Sequence, residues 1–232
     1  MAAGMSRRTF LKTTALSMPA ATVLMGCSGE DQGETAEYVF FTAAEAAFID
    51  AATSRLIPGD ELGPGAHEAN VPGFLDLQLA GAYGRAERWY MKGPWPTGTD
   101  QQGFQNRLTP AGIYRAAIAD IDDYCRNTYG KPFATLPHAQ QDDVLKGLEA
   151  NKVKLRHSPA NTFFALLWQN TQEGFLADPV YHGNRDFIGW KLIGFPGPRY
   201  NYVSEIEDYG KPYKMPCVSL AGRHPDRSIR ET

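Results

Sequence analysis

The chain has 232 residues, of which 43% are hydrophobic and 21% charged. That balance excludes a disordered or collagen-like chain and supports one domain with a sizeable core. A formal charge of −3 offers no electrostatic footprint for nucleic acid.

The first element is an address. Ser6-Arg7-Arg8-Thr9-Phe10-Leu11-Lys12 has the form S-R-R-x-F-L-K. It is expected to act as a twin-arginine export signal, with Arg7, Arg8, Phe10 and Leu11 as its recognition residues. The apolar run that follows, from about residue 13 to 25, is shorter than the ~20 residues a spanning helix needs. Leu24-Met25-Gly26-Cys27 resembles a bacterial lipobox, which makes Cys27 a candidate for lipidation and membrane anchoring. Ordinary cleavage nearby, with Cys27 removed or left free, is the alternative. Cleavage before Cys27 leaves 206 residues (232 − 26) and removes Arg7, Arg8 and Lys12, so the charge moves to −6. The expected organisation is a signal over 1–27, a polar tether over 28–37 and one domain over 38–232.

Thr42-Ala43-Ala44-Glu45 reads as a capping box that opens a helix carrying Phe48, Ala51, Ala52 and Leu56 on one face. Pro58-Gly59-Asp60 ends it, and residues 61–70 (ELGPGAHEAN) form an ordered turn region. A second helix is predicted from Val71 to about Gly81, and a short third one from Arg85 to Lys92. Residues 93–103 are a loop. Thr109 and Pro110 then open the most regular helix, in which Tyr114, Ile118, Ile121 and Cys125 share a face. Gly130 and Pro132 stop it. Further helices are predicted over about 137–150 and from Ser158-Pro159 onward. The last has apolar residues broad enough for a central, buried position. The expected class is mainly α, with about six helices between residues 42 and 177 and no alternating strands.

From Phe175 to Tyr213 the texture changes, with nine aromatic residues punctuated by Gly and Pro. Regular helix is not expected there. Tyr181, Phe187, Trp190, Phe195, Tyr200 and Tyr202 are candidates for a partner interface. Equally, such rings can wrap back over the helical core. An interface role for Trp190 and Phe195 predicts that truncating either weakens binding more than folding.

Catalytic, cofactor-binding and metal-binding patterns are not readable. No G-x-G-x-x-G, P-loop, G-x-S-x-G or H-E-x-x-H occurs, and no C-x-x-C-H for a covalent haem. His67-Glu68 is a weak acid/base candidate, better read as loop organisation. Asp122-Asp123 and Asp142-Asp143 point to different faces of their helices and are expected in solvent. In an oxidising periplasm Cys125 and Cys217 have the option of pairing with each other or with a partner chain. Cys125 also fits a packed core position.

The segment FFTAAEAAFIDAATSRLIPGDELGPGAHEANVPGFLDLQLAG and the later DPVYHGNRDFIGWKLIGFPGP, together with the leader, resemble the gluconate 2-dehydrogenase subunit 3 family over roughly residues 38–200. The sharpest pieces are Leu56-Ile57-Pro58 through Gly65-Ala66, and Asp178-Pro179 through Pro198. The resemblance implies a non-catalytic small subunit without a cofactor of its own. It implies a large FAD-binding dehydrogenase subunit as partner, acting on sugars or sugar acids, and a cytochrome c subunit carrying haem c on the membrane. The small subunit would bind the large one and supply the export signal for the twin-arginine translocase. A stand-alone periplasmic lipoprotein that binds a ligand or protein in a concave pocket is the alternative. An enzyme using His67, His182 and Asp186 is a third reading.

Overall fold

The computed structural model describes residues 38–96, 98, 99, 101–213 and 215–221. The export signal, Cys27 and the tether therefore lie outside the described residues. About half of the structure is helical, and no strand occurs among the described residues. The described residues form six α-helices: α1 (Ala43–Leu56), α2 (Val71–Ala80), α3 (Pro110–Tyr129), α4 (His138–Glu149), α5 (Ala160–Leu176) and α6 (Ile188–Ile193). The mainly α class is therefore correct.

The capping signals work as the local chemistry requires. At the start of α1 the Thr42 hydroxyl accepts from the Glu45 amide, while the Glu45 carboxylate accepts from the Thr42 amide at 2.8 Å. Burial pushes the Glu45 carboxyl up, but the Thr42 amide and the Arg115 guanidinium outweigh it and hold the group below its usual range. At α3 the Thr109 hydroxyl accepts from Gly112, Pro110 takes the first turn, and Gly130 closes the helix in the left-handed region.

One expected helix is absent. Residues 82–88 run in turns rather than as a helix. Ala86 sits at φ 53°, a left-handed conformation that stops helical propagation. The turns swing Tyr83 inward, where its hydroxyl donates to Asn170 Oδ1 at 2.9 Å. The sixth helix lies instead in the aromatic tail, as the short α6.

Helix α5 is the hub, in contact with each of the other five α-helices. It buries Ala160, Phe163, Leu167, Asn170, Thr171, Gly174 and Phe175, while Trp168 on another face stays exposed. Phe163 meets Phe48 of α1 and Tyr114 of α3, with ring centroids 6.4 and 5.3 Å apart. Phe133 completes the cluster against Phe48 at 4.7 Å. Each buried ring contributes roughly 2–3 kcal/mol by removal from water. Tyr114 keeps its polar tip satisfied by donating to Asn170 Oδ1 at 2.9 Å.

Three of the four paired aspartates are not free in solvent. Asp142 accepts both Arg55 Nε and Nη2, at 2.7 and 2.9 Å, which ties α1 to α4. Asp122 accepts the Phe133 amide at 3.0 Å, and Asp123 meets Arg156 at 3.1 Å. Adjacent positions point to different faces, as expected, and Asp143 stands exposed while the other three meet another part of the chain.

Candidate functional site

The two segments that carried the resemblance are far apart in sequence and meet in space. After α1, the chain reverses through Asp60 and Gly63, whose backbones exchange hydrogen bonds at 3.0 and 3.1 Å. The Ala66 amide then returns to Ile57 O at 2.8 Å. Asn70, left-handed at φ 58°, leads into α2 and donates from Nδ2 to His182 O at 2.8 Å. The Arg185 amide donates to Ala69 O at 3.0 Å.

His67 and Glu68 do not pair with each other. His67 Nδ1 lies 2.6 Å from Asp50 Oδ1, and Glu68 accepts the Gly65 amide at 2.8 Å. The hydrogen bond and the charge of Asp50 raise the His67 pKa above its ordinary value. His182 contributes its backbone carbonyl to the junction. This arrangement organises two loops, which is the role the sequence favoured for His67.

The tail beyond α5 folds back on that helix through a few specific contacts. Asp178 accepts the Val180 amide at 3.0 Å and the Leu220 amide at 2.7 Å, so it holds both ends of the tail. Asn184 is fully buried. Its amide donates to Ala177 O and its carbonyl accepts the Gly189 amide, each at 2.8 Å. Trp190 Nε1 donates to Leu176 O at 2.8 Å. Gly189 permits this approach, since a Cβ there would stand 2.1 Å from Phe175 O.

Asp186 and Phe187 both adopt positive φ, at 56° and 58°. A bulky residue in that region costs on the order of 1–3 kcal/mol and needs surroundings that hold it there. Phe187 is held by burial: it is 1% exposed and stacks on Trp190 at 5.4 Å.

The six aromatic candidates divide on this basis. Phe187 and Trp190 (4% exposed) are buried inside the chain, which corrects their place among surface contact residues. The physical reason is the turn at 184–189, which seats Trp190 on α5, where its Nε1 donates to Leu176 O, and stacks Phe187 on Trp190. Tyr181, Phe195, Tyr200 and Tyr202 stand exposed. Phe195 rests its edge on Trp190 at 4.9 Å while keeping part of its surface outward.

Between residues 176 and 195, Leu176, Val180, Tyr181, Leu192, Ile193 and Phe195 all present apolar surface to solvent. Leu176 and Tyr181 line a groove of about 560 Å³ with Phe74, Gln78, Gln172 and Glu173, at the edge of α2 and α5. Nothing in the residue pattern marks Leu192 and Ile193 as surface residues, because the periodicity of so short a helix is unreadable.

The two cysteines of the described domain are free thiols. Cys125 is buried on the core face of α3, and burial, with the nearby Asp122 charge, pushes its thiol up to about 12. Cys217 lies partly exposed in the tail, its thiol 3.4 Å from Phe195 O. Among the described residues no group of three or more His, Cys, Asp or Glu is placed to hold a metal ion. Among the described residues no helix is long and apolar enough to cross a membrane.

A helical hub, a junction of two distant loop signatures and an outward apolar tail define a mainly α domain. The chain belongs to the gluconate 2-dehydrogenase subunit 3 family, whose model matches residues 43–197. No match is found among curated proteins or solved structures.

Proposed function

We propose that this chain is the non-catalytic small subunit of a heteromeric FAD-dependent dehydrogenase of the gluconate 2-dehydrogenase type. It binds and stabilises a large flavoprotein subunit, which holds FAD and oxidises CH–OH groups of sugars or sugar acids. A cytochrome c subunit carrying haem c takes the electrons at the membrane. Arg7 and Arg8 supply the twin-arginine signal, so the flavin-loaded partner crosses folded, in company with this chain. The assembled complex is periplasmic and membrane-associated, through its partners or through a lipid on Cys27.

The observation that carries this reading is the row of exposed apolar side chains between Leu176 and Phe195, inside the family-matched region. Large apolar groups gathered on a surface mark interaction sites, and these six fall within twenty residues of one another. The test is purification of the tagged chain from its native host with a visible absorbance scan. Co-elution of a large protein with flavin bands is the expected result, and haem bands beside it add the cytochrome. A colourless monomer overturns the proposal. Lysines in place of Arg7 and Arg8 are expected to keep both chains in the cytoplasm. Export of the flavoprotein despite that change refutes co-export.

A further inference from the structure

The segment between α2 and α3 sets a group of rings on a fixed base. Its turns are fastened at both ends. Gly84 lies so close to α2 that a Cβ there would stand 1.8 Å from Leu79 O. The Gly84 carbonyl accepts the Ala111 amide at the start of α3, at 3.1 Å. Tyr83, held by its hydroxyl on Asn170 of α5, meets the edge of Trp89 at 5.7 Å. Trp89 in turn packs on Phe104, with centroids 4.7 Å apart. Further along, the Thr99 amide donates to Gln102 Oε1 at 2.7 Å, and Gln105 Nε2 donates to Gln102 O at 3.0 Å. Trp89, Trp95 and Phe104 remain half-buried.

Between these rings and the first half of α5 lies a hollow of about 940 Å³, within the size of a small-molecule site. Its apolar surface comes from Trp89, Trp95 and Phe104. Its polar surface comes from four primary amides, on Gln105, Asn106, Asn161 and Gln169, and from the Thr162 hydroxyl. Among the described residues no Asp, Glu, Lys or Arg lines it. The amides are only partly used within the chain. Gln105 and Gln169 each donate from Nε2, to Gln102 O and Glu173 Oε1, and Asn106 accepts the Leu108 amide through Oδ1. The other end of each amide, with the side chains of Asn161 and Thr162, has no hydrogen-bond partner among the described residues. A neighbouring hollow of about 600 Å³ shares the same three rings and adds Tyr90 and Lys92.

This lining selects a chemistry. An amide both donates and accepts, and so does a sugar hydroxyl. A pyranose ring also carries an apolar C–H face that lies flat on an indole or phenyl ring. A planar aromatic ligand would use the rings and leave most of the amides unpaired. A small anion calls for Arg or Lys and a small cation for a carboxylate, and neither lines the larger hollow. We propose that the hollow bounded by Trp89, Trp95, Phe104 and α5 is a binding site for a short uncharged saccharide. Trp89 and Trp95 are its stacking platforms, and Asn161 and Gln169 of α5 read its hydroxyls. The site belongs to this chain alone and goes beyond the subunit role proposed above.

The experiment titrates the full chain with maltotriose, cellotriose and chitotriose, read by tryptophan fluorescence and calorimetry. Gluconate, choline and a proline-rich peptide are titrated beside them. Saturable binding of at least one of the three saccharides is expected, with a Kd below about 10 mM and a shift in tryptophan emission. Trp95→Ala and Asn161→Ala are each expected to weaken it by about 10-fold or more. Trp168→Ala removes an exposed ring of α5 that does not line the hollow, and it should leave binding unchanged. Helical circular dichroism is read for every variant. Asn161 is exposed on α5, so its variant carries the test if Trp95→Ala disturbs the loop. Absence of saturable binding to all three saccharides overturns the proposal. So does binding that both Trp95→Ala and Asn161→Ala leave intact, or that Trp168→Ala weakens equally. Binding of gluconate, choline or the peptide with none of the saccharides assigns the hollow to another ligand and refutes it. The subunit reading is untouched by any of these results, since it is tested by co-purification of the flavoprotein.

Discussion

Asp76 shows how much one side chain can organise without any sequence signature. It sits inside α2 and is buried. Its carboxylate accepts the amides of Val39, Phe40 and Phe41 at 2.7, 2.9 and 2.8 Å, so it holds the entry to α1 against α2. Asp76→Ala orphans all three donors, and a loss of about 3 kcal/mol or more is expected in denaturant unfolding. Asp76→Asn, which keeps an acceptor, is expected to lose less. The His67–Asp50 pair makes a weaker, pH-dependent tie. The raised His67 pKa means that its contribution is fully present below about pH 6.5, the ordinary histidine value. It is lost as pH rises through the higher folded value. An NMR titration of His67 should show a midpoint above that of a free histidine. Asp50→Asn should return it toward that value, and an unchanged midpoint would show that Asp50 is not the cause.

At the level of elements, the aromatic tail is the instructive case. Composition marked residues 175–213 as irregular, and outside the end of α5 and the short α6 the backbone runs in turns and short 3-10 helices. Composition cannot say which ring turns inward. Trp190 turns onto α5, with Phe187 stacked on it, because Asn184, Asp186 and Phe187 take left-handed φ and Gly189 lies against Phe175 O. None of these is visible as periodicity. Trp190→Ala should therefore loosen the tail from α5. Amide exchange is expected to rise over residues 178–197 while α1 to α5 keep their protection. Unchanged exchange in that segment would contradict the packing. Tyr83 makes the same point in reverse: its segment has helical composition, yet burial of the ring on Asn170 turns it out of helix.

The molecule as a whole depends on α5. Because that helix touches the other five, a cavity at its centre is felt everywhere. Phe163→Ala removes the ring between Phe48 and Tyr114 and is expected to cost about 3–5 kcal/mol. The loss should appear in one cooperative unfolding transition rather than as local fraying. A cost below about 1 kcal/mol would mean that the cluster is not the core. The exposed rings of Tyr200, Tyr202 and Tyr209 stand at the other extreme. Replacing them with Ser should leave that transition in place, because they lie outside the core.

Local chemistry sufficed for the starts and stops of α1, α2 and α3, the shared face of Tyr114, Ile118, Ile121 and Cys125, and the family. Each rests on neighbours within a turn or two, or on signature residues in order. The joining of Asn70 to His182, the inward turn of Phe187 and Trp190, and the outward face of Leu192 and Ile193 came only with tertiary structure. Burial and pairing between distant segments depend on what a side chain meets once the chain has doubled back, and no short stretch of sequence contains that partner.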